Sequence, residues 1–226
     1  MKTLLVGTVL LSLCVAPGAH GQDITRELLT VGDARYRLSG VNGSFMADPE
    51  GAQPDTLTLD QSLARCDALV AAILERATPA GRKAPFVRDR TVPLRHGGSW
   101  VDYSQRHQGY RIVGGGGRIH LDSRGRISSA GVQYESEKFP SFKPRSLAVL
   151  AGNAQRAVPH PITGPPLQAE LMIDSNGEAP AVLLYLVVYP VRERGGDGGW
   201  QVTVDGVTGK VIHSGTTSRH AAAAAP

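Results

Sequence analysis

Apolar positions recur at helical spacing in two places along the chain. Leu63, Cys66, Val70 and Ile73 form one stripe, widened by Leu59, Leu69 and Leu74, the spacing of a helix with one buried face. Thr58, followed three residues later by Gln61, has the form of a capping box at its start. Pro79 to Gly81 are expected to end it. The second stripe is Leu147, Leu150, Ala151, Ala154 and Val158, stopped by Pro159, Pro161, Pro165 and Pro166.

Each stripe is followed by segments of β character. After the first, residues 100–105, 110–113, 118–122 and 126–134 read as short strands divided by Gly-rich connections. Asp122-Ser-Arg-Gly125 has the end residues of a tight turn and predicts a hairpin. Ile119 and Leu121 should then face one side and His120 the other. After the second, residues 170–173, 183–189, 200–205 and 210–213 read as four strands, turned at Asn176-Gly177, along the run 195–199 and at 205–209. Residues 183–189 are apolar at consecutive positions, as in a central strand covered on both faces. The order of helix then strands, met twice, predicts an α+β fold of two small units, each a helix packed on an antiparallel sheet.

The rest of the chain gives weaker patterns. Tyr36 and Leu38 alternate with Arg35 and Arg37 as in an edge strand, Asn42-Gly43 is a turn signal, and residues 49–54 read as exposed loop. Residues 82–93 read as a basic link. At the start, Lys2, an apolar run from Leu4 to Ala16 and the small-residue sequence Ala19-His20-Gly21 follow the order of a secretory signal peptide, with cleavage expected before Gln22. That run is short for a bilayer span, and no later stretch approaches one. Leu13 before Cys14 is too bulky for a lipoprotein signal, which leaves Cys66 as the single mature cysteine, read as a small buried hydrophobe.

The resulting division is a signal peptide over 1–21, a segment of unassigned structure over 22–57, one unit over 58–140, a second over 141–214 and a flexible tail over 215–226. The formal net charge of +4 changes little. The arginines are scattered and aromatics make up 5% of the chain, so no basic stripe interleaved with stacking rings points to nucleic acid.

Catalytic patterns are missing. A helical zinc site needs two histidines four apart, and none of His96, His107, His120, His160, His213 and His220 are so spaced. Gly114 to Gly117 lead into Arg118-Ile-His-Leu, a strand, where a phosphate loop would open a helix. Gly-x-Ser-x-Gly and Cys-x-x-Cys do not occur. Trp100, Trp200, Tyr134 and Tyr189 read as strand-face core residues. The expectation is a protein without enzymatic activity, cofactor or resident metal.

Gln105, Gly109, Ile112, Gly114 with Gly115, His120 with Asp122, and Gly125 stand in an order that resembles the fungalysin/thermolysin propeptide (FTP) motif. Arg111 stands where that family has Pro, and Gly116 and Gly117 replace bulkier residues. Downstream, residues 144–158, 170–173, 184–188 and 200–212, which include Trp200, resemble a PepSY unit of cystatin-like form. Its ending here is Val204-Asp205-Gly206-Val207-Thr208-Gly209-Lys210-Val211, with Gly206 in place of Ala.

Together these resemble the pro-region of thermolysin-like secreted metallopeptidases, with the family-motif residues expected to serve structure or interaction. The resemblance implies a secreted or periplasmic partner of a zinc metallopeptidase, acting as folding chaperone, inhibitor or both. No His-Glu-x-x-His domain follows in this chain, so the pro-region is expected to stand alone. A peptide-binding module of the cell envelope, or a truncated precursor, are the alternatives.

Overall fold

The computed structural model describes residues 24–41, 43–53, 56–78, 85–135, 139–175, 180–193 and 196–217. The signal-peptide reading, the Asn176-Gly177 turn, Asn42, Pro54, the helix stop at 79–81 and most of the tail lie outside them. In chain order the elements are β1 (Ile24–Val31), β2 (Ala34–Val41), β3 (Ser44–Glu50), α1 (Leu59–Ala77), β4 (Phe86–Pro93), β5 (Ser99–His107), β6 (Tyr110–Leu121) and β7 (Ile127–Gln133). They continue with α2 (Leu147–Arg156), β8 (Gln168–Asp174), β9 (Val182–Glu193), β10 (Gly196–Asp205) and β11 (Val211–Thr216).

The described strands form one eleven-stranded mixed sheet, ordered β1-β2-β3-β7-β6-β8-β9-β10-β11, with β5 on the other edge of β6 and β4 beyond it. This overturns the expected pair of separate units, each a helix on its own antiparallel sheet. The reason lies in β6. Residues 110–113 and 118–122 are not two strands divided by a glycine break but one of 12 residues, about 40 Å long. Its second half pairs antiparallel with β7, and its first half pairs parallel with β8 through Arg111 opposite Met172 and Ile112 opposite Ile173. One long strand therefore joins both regions into a single sheet.

Several local expectations also change. Residues 24–50 form three strands, and β2 is flanked by β1 and β3 instead of lying at an edge. Pro49 lies within β3 and opposite Tyr36. Most of the basic link at 82–93 is β4, paired with β5.

Helix α1 lies against β1, β7 and β6. Its inner face places Cys66, Leu69, Val70 and Ile73 in a core with Tyr36, Leu38, Phe45, Val101, Ile119, Leu121 and Val132. Leu59, at the first turn, is 59% exposed and takes no part in that face. The capping box is present: Thr58 Oγ1 accepts from Gln61 N–H and Gln61 Oε1 from Thr58 N–H. Burial pushes the Cys66 thiol up to about 12, with the Asp67 carboxylate adding to the effect. At ordinary pH it is a small buried hydrophobe.

Helix α2 covers β9 and β10, burying Leu150 and Ala154 against Tyr185, Val187, Tyr189, Val202 and Val204. On β9 the alternate residues Leu184 and Leu186 are half-buried, so that strand is central yet fully covered on one face only. A third, smaller core of Ile112, Ile173 and Leu183 sits where β6 meets β8.

Candidate functional site

Side chains on a strand alternate between faces. Val101, Tyr103, Ile119 and Leu121 point toward α1, so Trp100, Asp102, Ser104, Arg118 and His120 occupy the opposite, outer face. On that face lies an open groove of about 1020 Å³. Gly114 to Gly117 and Gly131 contribute backbone alone to its lining. Asp102, Arg106, Arg118, Gln133, Met46 and Glu170 border it.

Gln105 anchors the glycine-rich strand that floors the groove. Its side chain is fully buried, and its amide donates from Nε2 to Glu135 O and accepts at Oε1 from Glu135 N–H, both at 2.8 Å. The side chain thereby imitates a pair of ladder bonds where the β5 to β6 register shifts. Gly115 lies against it: a Cβ there would come within 2.4 Å of Gln105 Oε1. Gly114 sits beside the Glu135 carboxylate. The motif residues Gln105, Gly114 and Gly115 thus meet around Glu135, with Gly115 packed on the buried Gln105 side chain.

Charged side chains line the groove in pairs. Asp102 accepts from Arg118 Nε at 2.7 Å and Nη2 at 3.2 Å, and from Arg90 Nε at 3.0 Å. Partial burial works to raise the Asp102 carboxyl, but hydrogen bonds and charge from Arg118 and Arg90 outweigh it and hold it below the usual carboxylate range. Arg106 pairs with Asp89 at 2.9 Å. Arg111 forms a bidentate pair with Glu170, both bonds 3.0 Å, across the β6–β8 contact; the hydrogen bond to Glu170 raises the arginine's pKa. The residue that departs from the FTP pattern therefore ties the two regions together. Trp100 stacks near His120, with ring centroids 4.5 Å apart, and carries the Arg118 guanidinium 5.6 Å from its ring centre.

The remaining motif residues are structural. Gly109 is in the β5–β6 turn, whose Gln108 holds the following linker by donating to Ser141 Oγ and accepting from Phe142 N–H, each at 2.8 Å. His120 is bonded to Ser128. Asp122 Oδ1 accepts from the N–H groups of Arg124 and Arg126, and Oδ2 from Arg126 Nε. Partial burial raises that carboxyl, but the Arg126 and Arg124 hydrogen bonds win and lower it. The hairpin expected at Asp122 is present, and its Gly125 lies against the start of α1.

Trp200 donates to Ser214 Oγ, which donates to Ala157 O, pinning β10 and β11 to the end of α2. Asp205 Oδ1 accepts from Val207 and Thr208 N–H, while Thr208 Oγ1 accepts from Lys210 N–H. Gly209 O accepts from Asn153 on α2. This turn belongs to the α2 side of the sheet, away from the register rows that form the groove. Arg90, Asp102, Arg106, Arg118 and Glu170 were not singled out from the sequence. The available signal was the alternation of Asp102, Ser104 and Arg106 along one strand and of Arg118 and His120 along the next.

Among the described residues no group of three or more His, Cys, Asp or Glu side chains could hold a metal ion. No described helix is long and apolar enough to cross a membrane. No family model matches the chain, and no curated protein matches it. Among solved structures, the Bacillus megaterium YpeB C-terminal domain is similar at a TM-score of 0.39 and 10% identity, over 88% of this chain and 91% of that one. These comparisons give no support to a link with thermolysin-type pro-regions, and that resemblance stands on the motif residues themselves.

Proposed function

We propose that the chain is an exported, non-catalytic, propeptide-like protein that binds a thermolysin-type zinc metallopeptidase as folding chaperone, inhibitor or both. The observation that carries the reading is the meeting of Gln105, Gly114 and Gly115 under an open groove. Gly114 and Gly115, which belong to the resembling motif, share the bare floor of this surface with Gly116, Gly117 and Gly131, which do not. A glycine-floored groove lets another polypeptide approach the backbone closely, which is what a protein-binding surface requires. A peptide-binding module of the cell envelope would use the same groove and is the second reading.

The test is to titrate the purified chain, at micromolar concentrations, into a secreted thermolysin-type protease from the same organism. A fall in peptidase activity, or a higher yield of active protease on refolding, is the expected result. Activity and yield that both stay unchanged would sink the protease reading.

A further inference from the structure

We propose that the outer-face groove is a docking site for an extended, acidic segment of a partner protein, with one partner carboxylate bridged by Arg118 and Arg90. This deepens the reading of the chain as a protein-binding module and rests on it.

The strand registers put the necessary groups in one line. Met46 is opposite Gly131, Gly131 opposite Arg118, Arg118 opposite Asp102, and Asp102 opposite Arg90. A single cross-strand row thus runs from an apolar side chain, 48% exposed, over a bare glycine to two guanidiniums around one carboxylate. From Arg118 the floor follows β6 through Gly117 to Gly114 and ends at Arg111, a length of about 23 Å that accommodates roughly seven extended residues.

Charge decides what those residues carry. Arg90, Arg106, Arg111 and Arg118 face Asp89, Asp102 and Glu170, and the Glu135 carboxylate stands beside Gly114, so the positive surplus is confined to the Asp102 end, where two arginines share one acid. Asp102 is 14% exposed at its side chain, against 53% for Arg90 and 57% for Arg118. Arg90 reaches it through Nε and Arg118 through Nε and Nη2, whereas a guanidinium has five N–H donors in a planar fork. Donor capacity therefore lies on the solvent side of the pair, held in place by Asp102 below and Trp100 beside it. A carboxylate of a partner segment fits that geometry. A phosphate chain, with its closely spaced charges, would run on past that end to Glu135, Glu170 and Asp89.

The experiment is fluorescence anisotropy of the full chain with a labelled heptapeptide carrying two glutamates, beside its glutamine and lysine counterparts. The glutamate peptide is expected to bind about tenfold more tightly than the glutamine peptide and to weaken as salt is raised. Arg118→Gln and Arg90→Gln should each reduce that binding several-fold, and Arg118→Lys, which keeps charge but loses the fork, should do so partly. Equal affinity for the glutamate and glutamine peptides, tighter binding of the lysine peptide or of a single-stranded oligonucleotide, or folded arginine variants that bind like the parent chain would each overturn the proposal. The peptide comparison on the parent chain decides the matter even where a variant fails to fold. Glutamate-peptide binding without any effect on the protease keeps the groove assignment and overturns the protease reading; the reverse result overturns the groove assignment alone.

Discussion

Two hairpin tips in this molecule solve the same problem with different margins. At the β6–β7 turn, Asp122 accepts two backbone N–H groups and Gly125 adopts φ +76° against the start of α1. At the β10–β11 turn, Asp205 accepts two backbone N–H groups and Gly209 adopts φ +79° beside Asn153 of α2. Each tip thus braces a helix. The surroundings differ. A Cβ on Gly125 would stand 2.5 Å from Ser62 Oγ and 2.9 Å from Leu57 O, whereas one on Gly209 would meet the flexible ends of Asn153 and Arg145 at 3.0 Å and 3.2 Å. Helix α1 has a complete capping box and 19 residues; α2 has 10 and no side-chain bond from its N-cap Ser146. The first region fixes its helix redundantly, and the second relies more on the docked turn.

That contrast can be tested by substitution. Gly125→Ala, which combines left-handed strain with a collision against backbone, should cost about 3 kcal/mol, while Gly209→Ala should cost about 1 kcal/mol. Urea unfolding of the two variants measures the difference, and equal losses would remove the distinction. Gln105→Leu, which deletes both bonds to the Glu135 backbone, should cost about 2 kcal/mol and open amides of β5 and β6 to hydrogen exchange before those of β9. Thr58→Ala should cost about 1 kcal/mol, whereas Ser146→Ala should stay within about 0.5 kcal/mol; a larger effect at Ser146 would reverse the ranking of the two helices.

Acid should act on the first region through Asp122 and Asp102, whose folded carboxyls lie below their usual values. Their stabilisation is complete above the unfolded carboxylate pKa of about 3.9 and is lost as pH falls from there through the lowered folded values. Asp122→Asn should flatten that acid limb in a pH series of thermal melts, lowering stability at neutral pH and converging on the parent chain in acid.

The sequence was most legible where one period ran long enough. The α1 stripe, its Thr58–Gln61 start, the α2 stripe and the apolar 183–189 stretch all correspond to elements. Of residues 24–50, β2 was legible from the alternation of Tyr36 and Leu38 with Arg35 and Arg37, whereas its flanking strands β1 and β3 were not. The continuity of β6 escaped too. Four glycines normally weaken a strand, and here the support comes from Gln105 and Glu135, far apart in sequence. The site was half legible. Gln105, Gly114 and Gly115 stood out as a motif, but the arginines converge only through cross-strand register, which no local pattern encodes.

The parallel contact between β6 and β8 has a mechanical consequence. Among the described residues it is the sheet pairing that joins the flanks, through two residue pairs and the Arg111–Glu170 fork. Within either flank, longer ladders share any load. A force drawn across the molecule is concentrated on this short seam, so tearing would begin there and leave two largely intact pieces.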